Sequence, residues 1–127
     1  GTEKDFACHK LEHELSGLFG VTHGAGLAAI WGSWARYVKD KHQARFEKFA
    51  RNVMGVEGAE KGIEATEAFF RSIGMPTSIP ELIGRKATDD EIATLVEKCS
   101  RGGKMNIGAM EVLNPADMKA IYQLANG

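Results

Sequence analysis

Three of the four histidines in this 127-residue sequence, His9, His13 and His23, fall within fifteen positions. Neutral imidazole is the commonest side-chain metal ligand and the usual acid–base group near neutral pH, so the cluster is a candidate for divalent-metal binding or proton transfer. His9 and His13 stand one helical turn apart and project from one face, whereas Leu11 and Leu15 mark a separate, apolar side. His23 opens the next helical pattern, beyond Gly17 and Gly20. In a plain antiparallel hairpin turning near Gly20 it would sit opposite Gly17, about 12 Å along the axis from His9 at ~1.5 Å per residue. An extended run from Phe19 to Thr22 reaches about 13 Å and can bring the two together. Spacing therefore allows His9 to pair with His13 or with His23.

Other residues that invite chemical readings have plainer ones. Trp31 and Trp34 could stack on a cofactor, but aromatics on the apolar face of a helix usually form core, and Phe46, Phe49, Phe69 and Phe70 are read the same way. Met54, Met75, Met105, Met110 and Met118 are scattered and fill gaps. Gly24-Ala25-Gly26 opens a helix and could offer amides to a phosphate, but no strand precedes it and a lone Gly-x-Gly is weak evidence. Cys8 adjoins His9, and neighbouring helical residues diverge too far to share an ion. His42 lies among Lys41, Gln43 and Arg45 on a solvated face and is assigned no role.

The elements that must position these groups all read as helices. Leu11, Leu15 and Leu18 recur at helical spacing from about Asp5 to Leu18, and Leu27, Ile30, Trp31, Trp34 and Val38 repeat it from His23 to about Lys39. Phe46, Phe49, Ala50 and Val53 predict a third helix ending before Gly55. Ile63, Thr66, Phe70 and Ile73 predict a fourth, stopped at Gly74 ahead of Pro76. A short turn spans Ser78 to Ile83. Thr88 with Glu91 forms a capping box for a helix through Ile92, Leu95, Val96 and Cys99. Asn114 and Pro115 start a last helix through Met118, Ile121, Tyr122 and Ala125. No segment alternates like a strand, so the expected architecture is an all-α helical bundle with short connections.

Composition narrows the setting. A chain of this length fits one domain, and 43% apolar with 26% charged residues suits a soluble globule. Lys and Arg number 16 against 17 Asp and Glu, with no basic block, which argues against nucleic acid or an anionic membrane as partner. No apolar run approaches the ~20 residues that span a bilayer, and no signal peptide is evident. Cys8 and Cys99 both lie in helical patterns and read as buried thiols in a reducing compartment. The chain opens on Gly1 rather than methionine, read as the sign of an upstream portion removed by processing or by design.

The run His9-x-x-x-His13-Glu14-Leu15-Ser16-Gly17-Leu18-Phe19-Gly20-Val21-Thr22-His23-Gly24-x-Gly26-Leu27-Ala28 resembles the signature of the iron-containing (group III) metal-dependent alcohol dehydrogenases. Within them it is most similar to the NAD(P)H-dependent butanol dehydrogenase branch. The resemblance continues through Phe69-Phe70-Arg71-Ser72-Ile73-Gly74-Met75-Pro76-Thr77-Ser78 and Asn114-Pro115-Ala116-Asp117-Met118, and so covers essentially the whole chain.

What the resemblance implies is specific. Such enzymes have an N-terminal dinucleotide-binding α/β domain and a C-terminal all-helical domain, with the active site in the cleft between. An Asp and a His from an earlier helix and two later histidines hold iron(II) or zinc(II); carried onto this chain, the later pair is His9 and His23. His13 matches a nearby histidine that is not a ligand and acts in catalysis or proton handling near the nicotinamide. The implied reaction is reversible reduction of an aldehyde to a primary alcohol, with the ion as Lewis acid and NADH or NADPH as hydride donor. Nothing here matches the earlier Asp-x-x-x-His ligands or the Gly-rich cofactor loop. Residues 1–127 are therefore expected to be a C-terminal helical metal-binding domain without its dinucleotide-binding partner, inactive alone and weak in metal binding. The intact enzyme is expected to be a cytoplasmic homodimer acting on small aldehydes and alcohols. Two imidazoles accept iron or zinc alike, and the choice of nucleotide lies in the absent domain. The competing reading is a free-standing helical binding module with a vestigial histidine cluster.

Overall fold

A computed structural model describes residues 6–39, 42–100 and 113–127, without the side chains of residues 6–9 and Phe49. The described residues form α1 (Phe6–Phe19), α2 (His23–Val38), α3 (Gln43–Phe49), α4 (Ala59–Ser72), α5 (Ile79–Ile83), α6 (Asp89–Cys99) and α7 (Pro115–Ala125), with no strand among them. This is the expected all-α bundle. Met105 and Met110 lie outside the described residues, as do the side chains of Cys8 and Phe49.

Helix α2 is the central element. It packs against α1, α4, α5 and α7, while α6 bridges α1 and α7, and α3 lies on α4. The stripe that predicted α2 does the packing: Ile30, Trp34 and Val38 are buried together with Ala35, Leu27 and Trp31 are partly buried against them, and Leu11 and Leu15 of α1 and Met118, Ile121 and Tyr122 of α7 join the same core. Each large apolar side chain fully removed from water contributes about 1.5–3 kcal/mol. The buried Tyr122 hydroxyl donates to the Leu11 carbonyl at 2.6 Å and ties α7 to α1. Cys99 is buried as expected, and burial pushes its thiol up to about 11.

Local signals end the helices where the sequence places them. Thr22 caps α2 by accepting from Ala25 N at 3.3 Å. Thr88 and Glu91 form the expected capping box, and Asn114 forms a second with Asp117. Ser78 caps α5, which Gly84 closes in the left-handed conformation at φ 80°. No helix among the described residues is long and apolar enough to cross a membrane.

Three expected core residues turn outward. The third helix does not run as one α-helix to Val53; after Phe49 it widens into a π-helical turn, Ala50–Met54. A wider turn advances each residue by a smaller angle, so the stripe set by Phe46 and Ala50 no longer reaches Val53, which is 66% exposed. On α4 the buried face runs through Ala59, Gly62, Ile63, Thr66 and Glu67, leaving Phe69 and Ile73 exposed. Phe70 is half-buried and meets Trp31 edge-on, with centroids 6.2 Å apart. Phe69 and Ile73 lie one turn apart near the helix end, on the face turned away from that buried stripe.

Candidate functional site

The site lies where α1 meets the first turn of α2. Gly20 adopts φ 68°, a left-handed conformation that glycine takes without strain, and its N–H closes α1 by bonding Ser16 O at 2.9 Å. Thr22 is extended and starts α2, so His23 is that helix's first residue. The link of Gly20 to Thr22 carries no regular structure. It brings α2 back against α1 so that Gly26 packs on Glu12 and the His23 ring meets the Glu12 carboxylate.

Glu12 is the residue sequence reasoning missed. Its side chain is 1% exposed, against 59% for His23. One carboxylate oxygen, Oε1, bonds His23 Nδ1; the other, Oε2, accepts from the Ser16 hydroxyl one turn along α1. Gly26, one turn into α2, lies against the same carboxylate: a Cβ there would stand 2.9 Å from Glu12 Cδ and Cγ. The carboxylate also faces the N-terminal turn of α2, where the helix dipole favours negative charge. Between Leu11 and Leu15, Glu12-His13-Glu14 reads as a solvated stretch. The available signal was Gly26, a glycine inside an otherwise well-formed helix, which marks a close approach. The Gly24-Ala25-Gly26 run serves that approach, and two of its amides are already held, Ala25 N by the Thr22 side chain and Gly26 N by the Thr22 carbonyl.

The other expected site residues fall as follows. His9 lies on α1, but its side chain is outside the described residues. His13 is exposed on α1, leaving the helix about 100° round from Glu12. Among the described residues no group of three or more His, Cys, Asp or Glu side chains is placed to hold a metal ion. Beside the site, Met75 closes in on α2: its Cε lies 3.7 Å from where a Cβ on Gly24 would stand.

Farther along α2 the arrangement recurs as a purely structural device. Gly32 abuts buried Glu67, with a Cβ there reaching 2.7 Å from Glu67 Cδ. Arg36 clamps Glu67 through two bonds of 2.9 and 2.7 Å and reaches Glu60 at 2.8 Å, where Lys39 also binds. Hydrogen bonding to Glu67 raises the Arg36 guanidinium further, against its burial. Burial acts to raise the Glu60 carboxyl, but the bonds from Lys39 and Arg36 outweigh it and hold it below the usual range.

The family model described as Fe-containing alcohol dehydrogenase family, C-terminal, matches residues 1–126. NADH-dependent butanol dehydrogenase A of Clostridium acetobutylicum is 30% identical over 97% of this chain and 33% of its own length. NADP-dependent alcohol dehydrogenase 3 of Entamoeba histolytica is 32% identical over 84% of this chain and 29% of its own. Among solved structures, NADH-dependent butanol dehydrogenase A of Thermotoga maritima superposes with a TM-score of 0.84 at 32% identity, over 97% of this chain and 33% of that one. YqhD of Escherichia coli superposes with a TM-score of 0.86 at 26% identity, over 97% and 32%. The chain spans about a third of the length of these relatives.

Proposed function

The chain belongs to the Fe-containing alcohol dehydrogenase family, whose C-terminal domain it matches, and from that premise we propose that it contributes half of the metal centre of an NAD(P)H-dependent enzyme that interconverts butanal-like aldehydes and primary alcohols. His9 and His23 are the ligands it supplies, and an upstream dinucleotide-binding domain provides the others together with the nucleotide site. When bound, iron(II) or zinc(II) supplies Lewis acidity at the carbonyl oxygen and NADH or NADPH supplies the hydride.

The chain's own residues have separate tasks. His23 fits a ligand's part, because its ring is exposed while one nitrogen is held by a buried carboxylate, the arrangement in which metal-binding imidazoles are found. His13, exposed on α1, exchanges a proton with the alcohol oxygen, since an imidazole titrates near working pH. Met75, beside Gly24, offers an apolar surface to an alkyl chain and keeps water from that side. The observation that carries this reading is the anchored His23 ring in a chain whose relatives include butanol dehydrogenases of similar sequence. A cytoplasmic homodimer belongs to the same reading.

Butanal reduction followed by loss of nicotinamide absorbance tests it. The full-length gene product should consume NADH or NADPH with butanal and lose that activity on chelation, while residues 1–127 alone should show no turnover. Metal-dependent turnover by the 127-residue chain alone would refute the division of labour proposed here.

A further inference from the structure

Glu12 is the most buried charged side chain at the site, and its surroundings are arranged around its two oxygens. A carboxylate withdrawn from water costs several kcal/mol unless its lone pairs are engaged. Here Oε1 takes the imidazole of His23, Oε2 takes the hydroxyl of Ser16, and Gly26 leaves the space that lets α2 close over both. If Glu12 served only to join α1 to α2, an apolar residue packed beside Leu11 and Leu15 would do so without the desolvation cost. The carboxylate grips a ring that is itself 59% exposed, so the contact buries little of His23. What it does is fix how that ring stands.

We infer that Glu12 is a positioning residue for His23: it accepts from Nδ1–H, fixes the ring's tautomer and orientation, and assigns coordination to Nε2. Ser16 holds the carboxylate in turn, and Gly26 admits it. The inference rests on the reading above, in which His23 is a metal ligand. A carboxylate on the far nitrogen also makes the ligating nitrogen more basic, and loss of such a partner typically weakens metal affinity about 10–100-fold.

The test uses the full-length gene product as wild type, Glu12→Gln, Ser16→Ala and His23→Ala, with zinc(II) affinity measured by chelator competition and thermal midpoints taken without metal. Glu12→Gln should weaken zinc about 10–100-fold, and Ser16→Ala should weaken it by a smaller factor. Nitrogen-15 spectra of the metal-free wild type should show His23 protonated at Nδ1. Wild-type affinity in a folded Glu12→Gln, together with lost affinity in His23→Ala, would overturn this inference and leave the proposed function standing. Unchanged affinity in His23→Ala would overturn the proposed function itself. If Glu12→Gln does not fold, the wild-type tautomer and Ser16→Ala decide: an Nε2–H tautomer, or undiminished zinc affinity in Ser16→Ala, would sink the idea.

Discussion

The Glu12 carboxylate and Gly26 depend on each other. A Cβ on residue 26 would come within 2.9 Å of Glu12 Cδ and Cγ, and Glu12, with both oxygens engaged and no exposure, has no open side to which it can withdraw. Alanine is ordinarily the better helix former by about 1 kcal/mol, yet overpacking against an anchored group costs about 1–3 kcal/mol. We therefore expect Gly26→Ala to destabilise the chain by about 1–2 kcal/mol, whereas Gly17→Ala, which meets nothing within 4 Å among the described residues, should stabilise it by up to about 1 kcal/mol. Denaturant unfolding of the two variants checks this, and a stabilising Gly26→Ala would show that the carboxylate is not held. At this scale the sequence was partly legible. The histidines announce themselves by type and spacing, but Glu12 looks like any surface carboxylate between two other polar residues, and only the packing of a second helix reveals its burial.

Helix α2 combines a site and a scaffold in one element. Its first turn takes the Glu12 carboxylate against Gly26, and its later turns take Glu67 against Gly32, where Arg36 completes a bidentate pair. The start of α6 shows how local chemistry sets an end. Bonds from Arg85 at 2.8 Å, with help from the Thr88 amide, hold the Glu91 carboxyl at about 2, well below its ordinary value of 4.5. A depressed folded value means that the stabilisation is present above pH 4.5 and is lost as pH falls toward 2. Glu91→Gln should accordingly melt below wild type at pH 7, with the gap closing between pH 4.5 and 2; a gap that stays constant with pH would contradict the pairing. Helix starts and their caps were readable because Thr88-x-x-Glu91 and Asn114-Pro115 act within a few residues. The π-helical turn at Ala50–Met54 was not, since no local signal marks it; it packs closely on α4, where a Cβ on Gly62 would stand only 2.7 Å from that of Ala50.

For the molecule as a whole, apolar periodicity predicted the bundle, and long-range polar ties lock it. Tyr122 binds the Leu11 carbonyl, and the Asn126 amide bonds both backbone groups of Ala87, at 2.8 and 3.0 Å, so the last helix is fastened to α1 and to the entrance of α6. Those contacts bridge residues 111 and 39 apart in sequence, a distance over which no periodicity speaks. The contact of His23 with Glu12 has the same character: it joins side chains eleven residues apart across the Gly20–Thr22 link, where helical spacing alone does not place it. The central claim concerns the division of roles among three histidines in the complete enzyme, and metal content of the purified full-length gene product tests it most directly. His9→Ala should strip the ion, while His13→Ala should retain it at the wild-type level and turn over far more slowly; equal metal content in the two variants would contradict the account.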